Sequence, residues 1–289
     1  MRLFDRLYGF GLRLIAPITI AAALVHVALG LLYALLTSSW IGSLRRDSAI
    51  MTWSRILLLI IGVRPQSFGE PPRPGGTQDT DESPGSLLLA NHTSWLEVFS
   101  IAAVVPARFV SKSEIARWPV FGWLAIAVGT LFVERGRRHA VARANQAVAE
   151  RLRSGQLIAV FPEGTTTDGS RLLPFHANLV QPALDIQAPI RPVGVRFTQR
   201  GAVSQAAMYI DDMNVMQSLW RIVTAPHLTV ELHWLPPIDP PRGRHEAARS
   251  ARAAIAQALQ LSLEEQEVSG EVGAVDEPSD AEPGSAPAG

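Results

Sequence analysis

The alternation of apolar and polar positions changes character along the chain. Residues 14–36 read LIAPITIAAALVHVALGLLYALL without a formal charge, long enough for the ~20 residues that cross a bilayer's hydrocarbon core. This run predicts a membrane helix. It exceeds the ~7–15 apolar residues of a signal-peptide core, and no clear small-residue cleavage site comes after it, so a retained helix is expected. A second run, ILLLIIGV at 56–63, is too short to span and predicts an interfacial segment or the second arm of a helical hairpin. His26 sits in the first run with no carboxylate close in sequence, and is expected to be a helix-facing or interfacial side chain.

Beyond position 85 the period alternates between short apolar runs and helical patterns. Strands are expected at 86–90, 108–111, 129–133, 157–161, 190–197, 206–210 and 228–234, and helices at 96–104, 138–153, 176–186, 215–223 and 245–261. The predicted class is α/β, a mixed, largely buried sheet flanked by helices, with an N-terminal membrane helix or helical hairpin. Residues 65–84 hold five prolines and no apolar period, which predicts a linker. Residues 264–289 are acidic and poor in apolar side chains, which predicts a disordered tail. The expected organisation is a membrane-anchoring segment at 1–64, a linker at 65–84, a catalytic domain at 85–263 and an acidic tail at 264–289.

Composition narrows the chemistry. The 289 residues include no cysteine, which excludes a disulfide scaffold, a thiolate nucleophile and a thiolate metal site. Basic and acidic residues number 26 each, but residues 1–263 hold every basic residue and only 18 of the acidic ones. That part of the chain is therefore positive, and all its cations except Lys112 are arginines, whose planar forks suit phosphate and carboxylate groups. An anionic membrane surface fits this charge; nucleic acid does not, because no basic run is interleaved with aromatics. The serine-elbow, zincin and P-loop motifs are missing, and no metal or redox cofactor is expected.

Three expected strand ends carry polar residues that packing does not require, in the position where α/β domains place their sites. The first runs into Asn91 and His92, with Glu97 five residues after the histidine. This is the spacing of a base and its orienting carboxylate, or of a histidine at a helix start beside a surface acid. The second ends at Glu134 and Arg135, and the third at Glu163, Gly164 and Thr165. A glycine-bearing turn after a strand exposes N–H groups that hold an anion or an oxyanion.

Taken together and in order, these blocks resemble the glycerolipid acyltransferase family that includes the 1-acylglycerol-3-phosphate acyltransferases. The matching stretches are NHTSWLE at 91–97, GTLFVER at 129–135, FPEGT at 161–165 and IRPV at 190–193. The resemblance covers residues 86–235. It implies that His92 takes the proton of an acceptor hydroxyl, which attacks an acyl thioester of coenzyme A or acyl carrier protein as donor substrate. Glu97 stands where the family has Asp and would orient the imidazole. Arg135 would bind the acceptor's anionic head group, Glu163, Gly164 and Thr165 would form the acceptor loop, and N–H groups near Gly164 would hold the oxyanion.

Two departures bear on the acceptor. Thr166 comes after FPEGT where many members have Arg, and His176, Ala177 and Asn178 replace a Lys-x-Gly. Losing a guanidinium weakens recognition of a dianionic head, since charge-assisted bonds are about twice as strong as neutral ones. The first expectation remains a 1-acylglycerol-3-phosphate O-acyltransferase at the cell membrane, its catalytic domain facing the cytoplasm, with lyso-ornithine lipid as the alternative acceptor. A non-catalytic lipid-binding protein is the remaining class, and the presence of His92, Arg135 and the Glu163 loop together argues against it. Lys112 is expected to be a surface lysine, His227 and His233 structural residues on one strand face, and Trp118, Trp123 and Trp220 core or interface anchors.

Overall fold

Two helices lead the chain, and both pack against the α/β domain. In the computed structural model, which describes residues 2–37, 42–75, 84–118, 121–133, 138–239 and 242–264, α1 (Arg2–Thr37) and α2 (Ser43–Ile60) also pack on each other. One stripe of α1 faces inward: Ala16 and Ala23, two turns apart, are buried in the main core. Further along, His26 stacks on Trp53 of α2 with centroids 5.1 Å apart. His26 Nε2–H donates to Trp53 O at 3.0 Å, and Trp53 Nε1–H donates to His26 O at 3.3 Å. Gly30 lies against the same indole, so closely that a Cβ there would overlap it. The opposite face of α1, with Leu14, Ile18, Val25, Leu29 and Leu36, is exposed. Residues Gly9–Thr37 are long and apolar enough to cross a membrane, by length and composition.

The remaining elements are β1 (Arg64–Phe68), β2 (Leu87–Ala90), α3 (Leu96–Ala102), β3 (Ala107–Lys112), α4 (Phe121–Ala127), β4 (Leu131–Val133), α5 (Arg138–Arg153), β5 (Leu157–Val160), β6 (Arg171–Leu172), α6 (Gln181–Asp185), β7 (Ile190–Gln199), β8 (Ala202–Val203), α7 (Val215–Val223), β9 (Leu228–Trp234), α8 (Arg244–Leu259) and β10 (Ser262–Leu263). The main sheet runs β1-β9-β7-β2-β5-β3-β4, with β8 pairing β7 and a separate β6–β10 pair. Strands β2, β5, β3 and β4 are mutually parallel, β7 is parallel to β2, and β9 is antiparallel to β7. Every residue of β2 and β5 is buried, as continuous apolar runs covered on both faces require.

The mixed α/β class agrees with the pattern, and several local expectations change. The first residues of the expected linker form β1, which pairs in parallel with β9. The alternation in β9 makes an edge that the extended backbone of residues 64–68 completes. Residues 206–210, expected as a strand, are irregular, because the Tyr209 backbone is engaged by loops at the site rather than by a ladder. The helix expected at 176–186 divides into a 3-10 turn (Ala177–Leu179) and α6, with Pro182 in the first turn of α6. His227 precedes β9 at φ 54°, so it does not share a strand face with His233. The expected tail beyond Glu264 lies outside the described residues.

Strands β2 and β5 leave the sheet at the same edge because they are parallel. From β2 the chain passes to β3 on one side, and from β5 to β7 on the other, so the edge is a topological switch point where α/β sheets open a crevice.

Candidate active site

The turn that carries His92 is built by side chains that complete backbone ladders. Past the end of β2, Asn91 takes the place of another strand residue: its Nδ2–H donates to Val195 O at 2.9 Å, and Val195 N–H donates to Asn91 Oδ1 at 2.7 Å. This fixes the exit direction of the chain. His92 O then accepts Thr167 N–H at 2.9 Å, and Thr93 O accepts Tyr209 N–H at 2.9 Å.

Glu97, in the first turn of α3, is fully buried yet has a donor for each oxygen. Oε1 accepts Thr93 N–H (2.7 Å), Thr93 Oγ1–H (2.6 Å) and Ser94 N–H (3.1 Å). Oε2 accepts His92 Nδ1–H at 2.7 Å. A negative charge at a helix start, with three donors besides the imidazole, is the arrangement that makes burial of a carboxylate tolerable. The Glu97 side chain thus reaches back over the 92–94 turn and caps it while still touching the imidazole. With the proton held on Nδ1, Nε2 is the nitrogen that carries a lone pair. The ring stacks on Phe161 at 4.2 Å, its side chain is 21% exposed, and it lines a cavity of about 1200 Å³.

That cavity exceeds the ~300–1,000 Å³ of ordinary small-molecule sites. From His92 and Phe161 it runs past Trp95, Phe99 and Phe109 to Leu29, Tyr33, Trp53 and Ile56 of the two leading helices. Most of the lining is apolar, and its polar residues include Lys112, Glu114, Thr165 and Thr166. Lys112 is exposed, as expected of a surface lysine, and it also lines the cavity: it ends β3, an interior strand parallel to β5, at the same edge as His92. That parallel placement is the signal by which it could have been singled out.

The three residues expected in the acceptor loop separate. Thr165 and Gly164 line the cavity, but the Gly164 N–H closes a turn onto Phe161 O at 3.1 Å, and a φ of 73° at Gly164 sets the direction in which the chain leaves that turn. It is therefore not a free oxyanion donor. The Thr165 and Thr166 N–H groups have no protein acceptor among the described residues, and both residues line the cavity. Glu163 is buried, lies off the cavity, and holds His92 N–H on Oε1 at 2.7 Å and Leu173 N–H on Oε2 at 3.0 Å. Burial pushes its carboxyl up to about 7, against the opposing pull of the two N–H bonds. Thr166, at the departure from the family pattern, donates its hydroxyl to Tyr209 O at 2.5 Å. Arg135 and Glu134 lie outside the described residues. His233 stacks on Phe68 at 4.8 Å, remote from the cavity. Trp118, Trp123 and Trp220 are exposed.

Residues 74–196 match a family model described as Acyltransferase. The chain is 38% identical over 175 residues to a lyso-ornithine lipid O-acyltransferase of Pseudomonas aeruginosa, covering 60% of this chain and 67% of that one. It is also 38% identical over 151 residues to a 1-acyl-sn-glycerol-3-phosphate acyltransferase of Neisseria gonorrhoeae, covering 52% and 59%. The second alignment thus spans less than two thirds of the relative's length. Among solved structures, the 1-acyl-sn-glycerophosphate acyltransferase of Thermotoga maritima aligns with a TM-score of 0.63 over 89% of this chain and 96% of that one. At 18% identity that likeness is one of fold.

Proposed function

The chain belongs to the acyltransferase family, and from that premise we propose that it moves a fatty acyl group from a thioester to the hydroxyl of a membrane lysolipid. The observation that carries the proposal is the 2.7 Å contact between His92 Nδ1 and Glu97 Oε2 at the head of an apolar cavity. His92 Nε2 takes the proton of the acceptor hydroxyl as its oxygen attacks the thioester carbonyl. The Thr165 and Thr166 N–H groups face the oxyanion of the tetrahedral intermediate. Collapse re-forms the carbonyl and breaks the carbon–sulfur bond, and the imidazolium returns its proton to the departing thiolate. Glu97 holds the imidazole in one tautomer and stabilises its charged form. The donor is acyl-coenzyme A or acyl carrier protein, used as substrate. Lys112 at the mouth and Arg135 bind the acceptor's anion, and the apolar length of the cavity takes an acyl chain.

The same cavity supports a half-inserted placement of the two leading helices. An inward stripe on α1 packs along α4 and α7, while its outer face is exposed and apolar. A helix that crossed the bilayer alone would leave that inward stripe facing lipid. In our reading α1 and α2 lie in the cytoplasmic leaflet, with the cavity open to lipid and the domain in the cytosol.

The first acceptor reading is 1-acylglycerol-3-phosphate. Lyso-ornithine lipid is the second, favoured by Thr166, which offers a hydroxyl tied to Tyr209 O where a guanidinium would serve a phosphate. The test is acyl transfer in detergent from labelled acyl-coenzyme A and acyl carrier protein, with both lysolipids in parallel and His92→Ala as the blank. Transfer to either that disappears in the folded His92→Ala protein supports the proposal. Near-wild-type turnover in that variant overturns the base assignment, and Thr166→Arg should move preference toward lysophosphatidate.

A further inference from the structure

Helix α8 lies outside the segment that matches the family model, yet one of its side chains reaches the loop behind His92. Arg252 is 8% exposed, and its Nη2 donates to Leu172 O and to Glu264 O, each at 2.5 Å. Leu172 precedes Leu173, whose N–H occupies Glu163 Oε2, and Glu163 Oε1 in turn holds the His92 N–H. A continuous set of bonds therefore joins α8 to the backbone of the proposed base. The charges that face Glu163 come from three elements. Glu97 on α3 repels it, and the His92 ring attracts it when protonated. Arg252 is the third, and its guanidinium, pulled down by burial, is held charged by Glu163 and Glu264.

We propose that Arg252 is a positioning residue for His92: it fixes the 172–173 backbone and supplies the positive charge that keeps Glu163 ionised, so that Glu163 grips both N–H groups. The ionised form matters because each oxygen faces a donor. A proton on either oxygen would point at an N–H and break one of the two grips. Since burial places the Glu163 carboxyl at about 7, this grip weakens within the working pH range. A cation set behind the site, without touching the cavity, holds the active form.

The inference rests on the acyltransferase reading, and one experiment separates the two. Turnover of the full chain in detergent is measured from pH 6 to 9.5 for wild type, Arg252→Gln, Arg252→Lys, Glu163→Gln and the double variant Arg252→Gln with Glu163→Gln. Arg252→Gln should lower kcat about tenfold at pH 7, about fivefold of it from an acid limb displaced upward by about one pH unit and the rest from the lost brace, so that activity is only partly regained near pH 9. KM for donor and acceptor should stay within about twofold, since Arg252 touches neither. In the Glu163→Gln background the same substitution should leave the limb in place. A limb at the wild-type position in folded Arg252→Gln overturns the proposal, as does an equal displacement in the double variant. Should Arg252→Gln not fold, Arg252→Lys decides: the charge is kept but the shorter side chain draws the donor back from Leu172 O and Glu264 O, so kcat falls with the limb unmoved, and a wild-type kcat refutes the brace. A wild-type chain that transfers no acyl group fails the acyltransferase reading instead.

Discussion

Replacing Glu97 by Gln is the most direct test of how the buried carboxylate works. The change is nearly isosteric, and the Gln oxygen can still accept from Thr93 and Ser94, which occupy Oε1. The amide NH₂ then takes the place of Oε2, 2.7 Å from His92 Nδ1. Two donors cannot share that contact, so the imidazole must present Nδ1 as the acceptor and carry its proton on Nε2. The base is lost although the ring has not moved. Wrong-tautomer variants of comparable dyads lose about 10⁴ in kcat, or about 5 kcal/mol of barrier. A loss of about 10³–10⁴ in kcat is expected here, with KM nearly unchanged. Removing a buried charge offsets the weaker amide bonds, so the thermal midpoint should stay within a few degrees. The assay is single-turnover acyl transfer from labelled acyl-coenzyme A, paired with circular dichroism melting. A folded Glu97→Gln protein within about tenfold of wild type would refute the tautomer argument. Glu97→Asp draws the carboxylate back by ~1.5 Å and should cost less than Gln, because the charge remains and α3 needs only a small shift to restore the contact.

The geometry sets three further outcomes. Gly30→Ala places a methyl in the Trp53 indole and should lower stability by about 1–3 kcal/mol through overpacking, read as a lower melting midpoint, whereas Gly11→Ala on the same helix should not, since nothing lies near that position. Glu163 is raised from 4.5 to about 7 on folding, so the folded state binds more protons between those values. Its contribution to stability is complete below about pH 4.5 and falls as pH rises through 7, by about 3 kcal/mol in total. Denaturant midpoints at pH 5 and pH 8 should differ accordingly in wild type and converge in Glu163→Gln. Lys112→Ala should raise the acceptor KM about tenfold with kcat changed less, and an unchanged KM would remove the lysine from head-group binding.

Much of the α/β layout was legible because buried strands announce themselves. The all-apolar runs at β2 and β5 have no other place in a folded chain than the middle of a covered sheet. Amphipathic helices such as α7, with its Asn214 and Gln217 capping box, have both ends written locally. Strand β1 was not legible, since residues 64–68 are all exposed and carry no apolar alternation, and their conformation comes from pairing with β9, about 165 residues away. The irregular backbone at 206–210 escaped for the opposite reason. Its apolar residues suit a strand, but its hydrogen bonds go to Thr93 and Thr166.

The candidate site divides along the same line. His92 and Glu97 were visible because their partnership is local: five residues apart, they meet across one turn at a helix start. What each loop residue does was decided by the fold. Glu163 sits in the most recognisable block of the chain, yet it is directed away from the cavity onto the His92 backbone 71 positions earlier. Lys112 reached the cavity because β3 runs parallel to β5 and ends at the same edge. Arg252 reached the loop because α8 folds back onto β7 and β6. The sequence by itself determined the family's blocks and the spacing of His92 and Glu97, since side-chain type and a single turn suffice for both. Only the tertiary structure decided which loop residues line the cavity and which charges stand behind it, because those contacts join segments whose distance in sequence has no bearing on their distance in space.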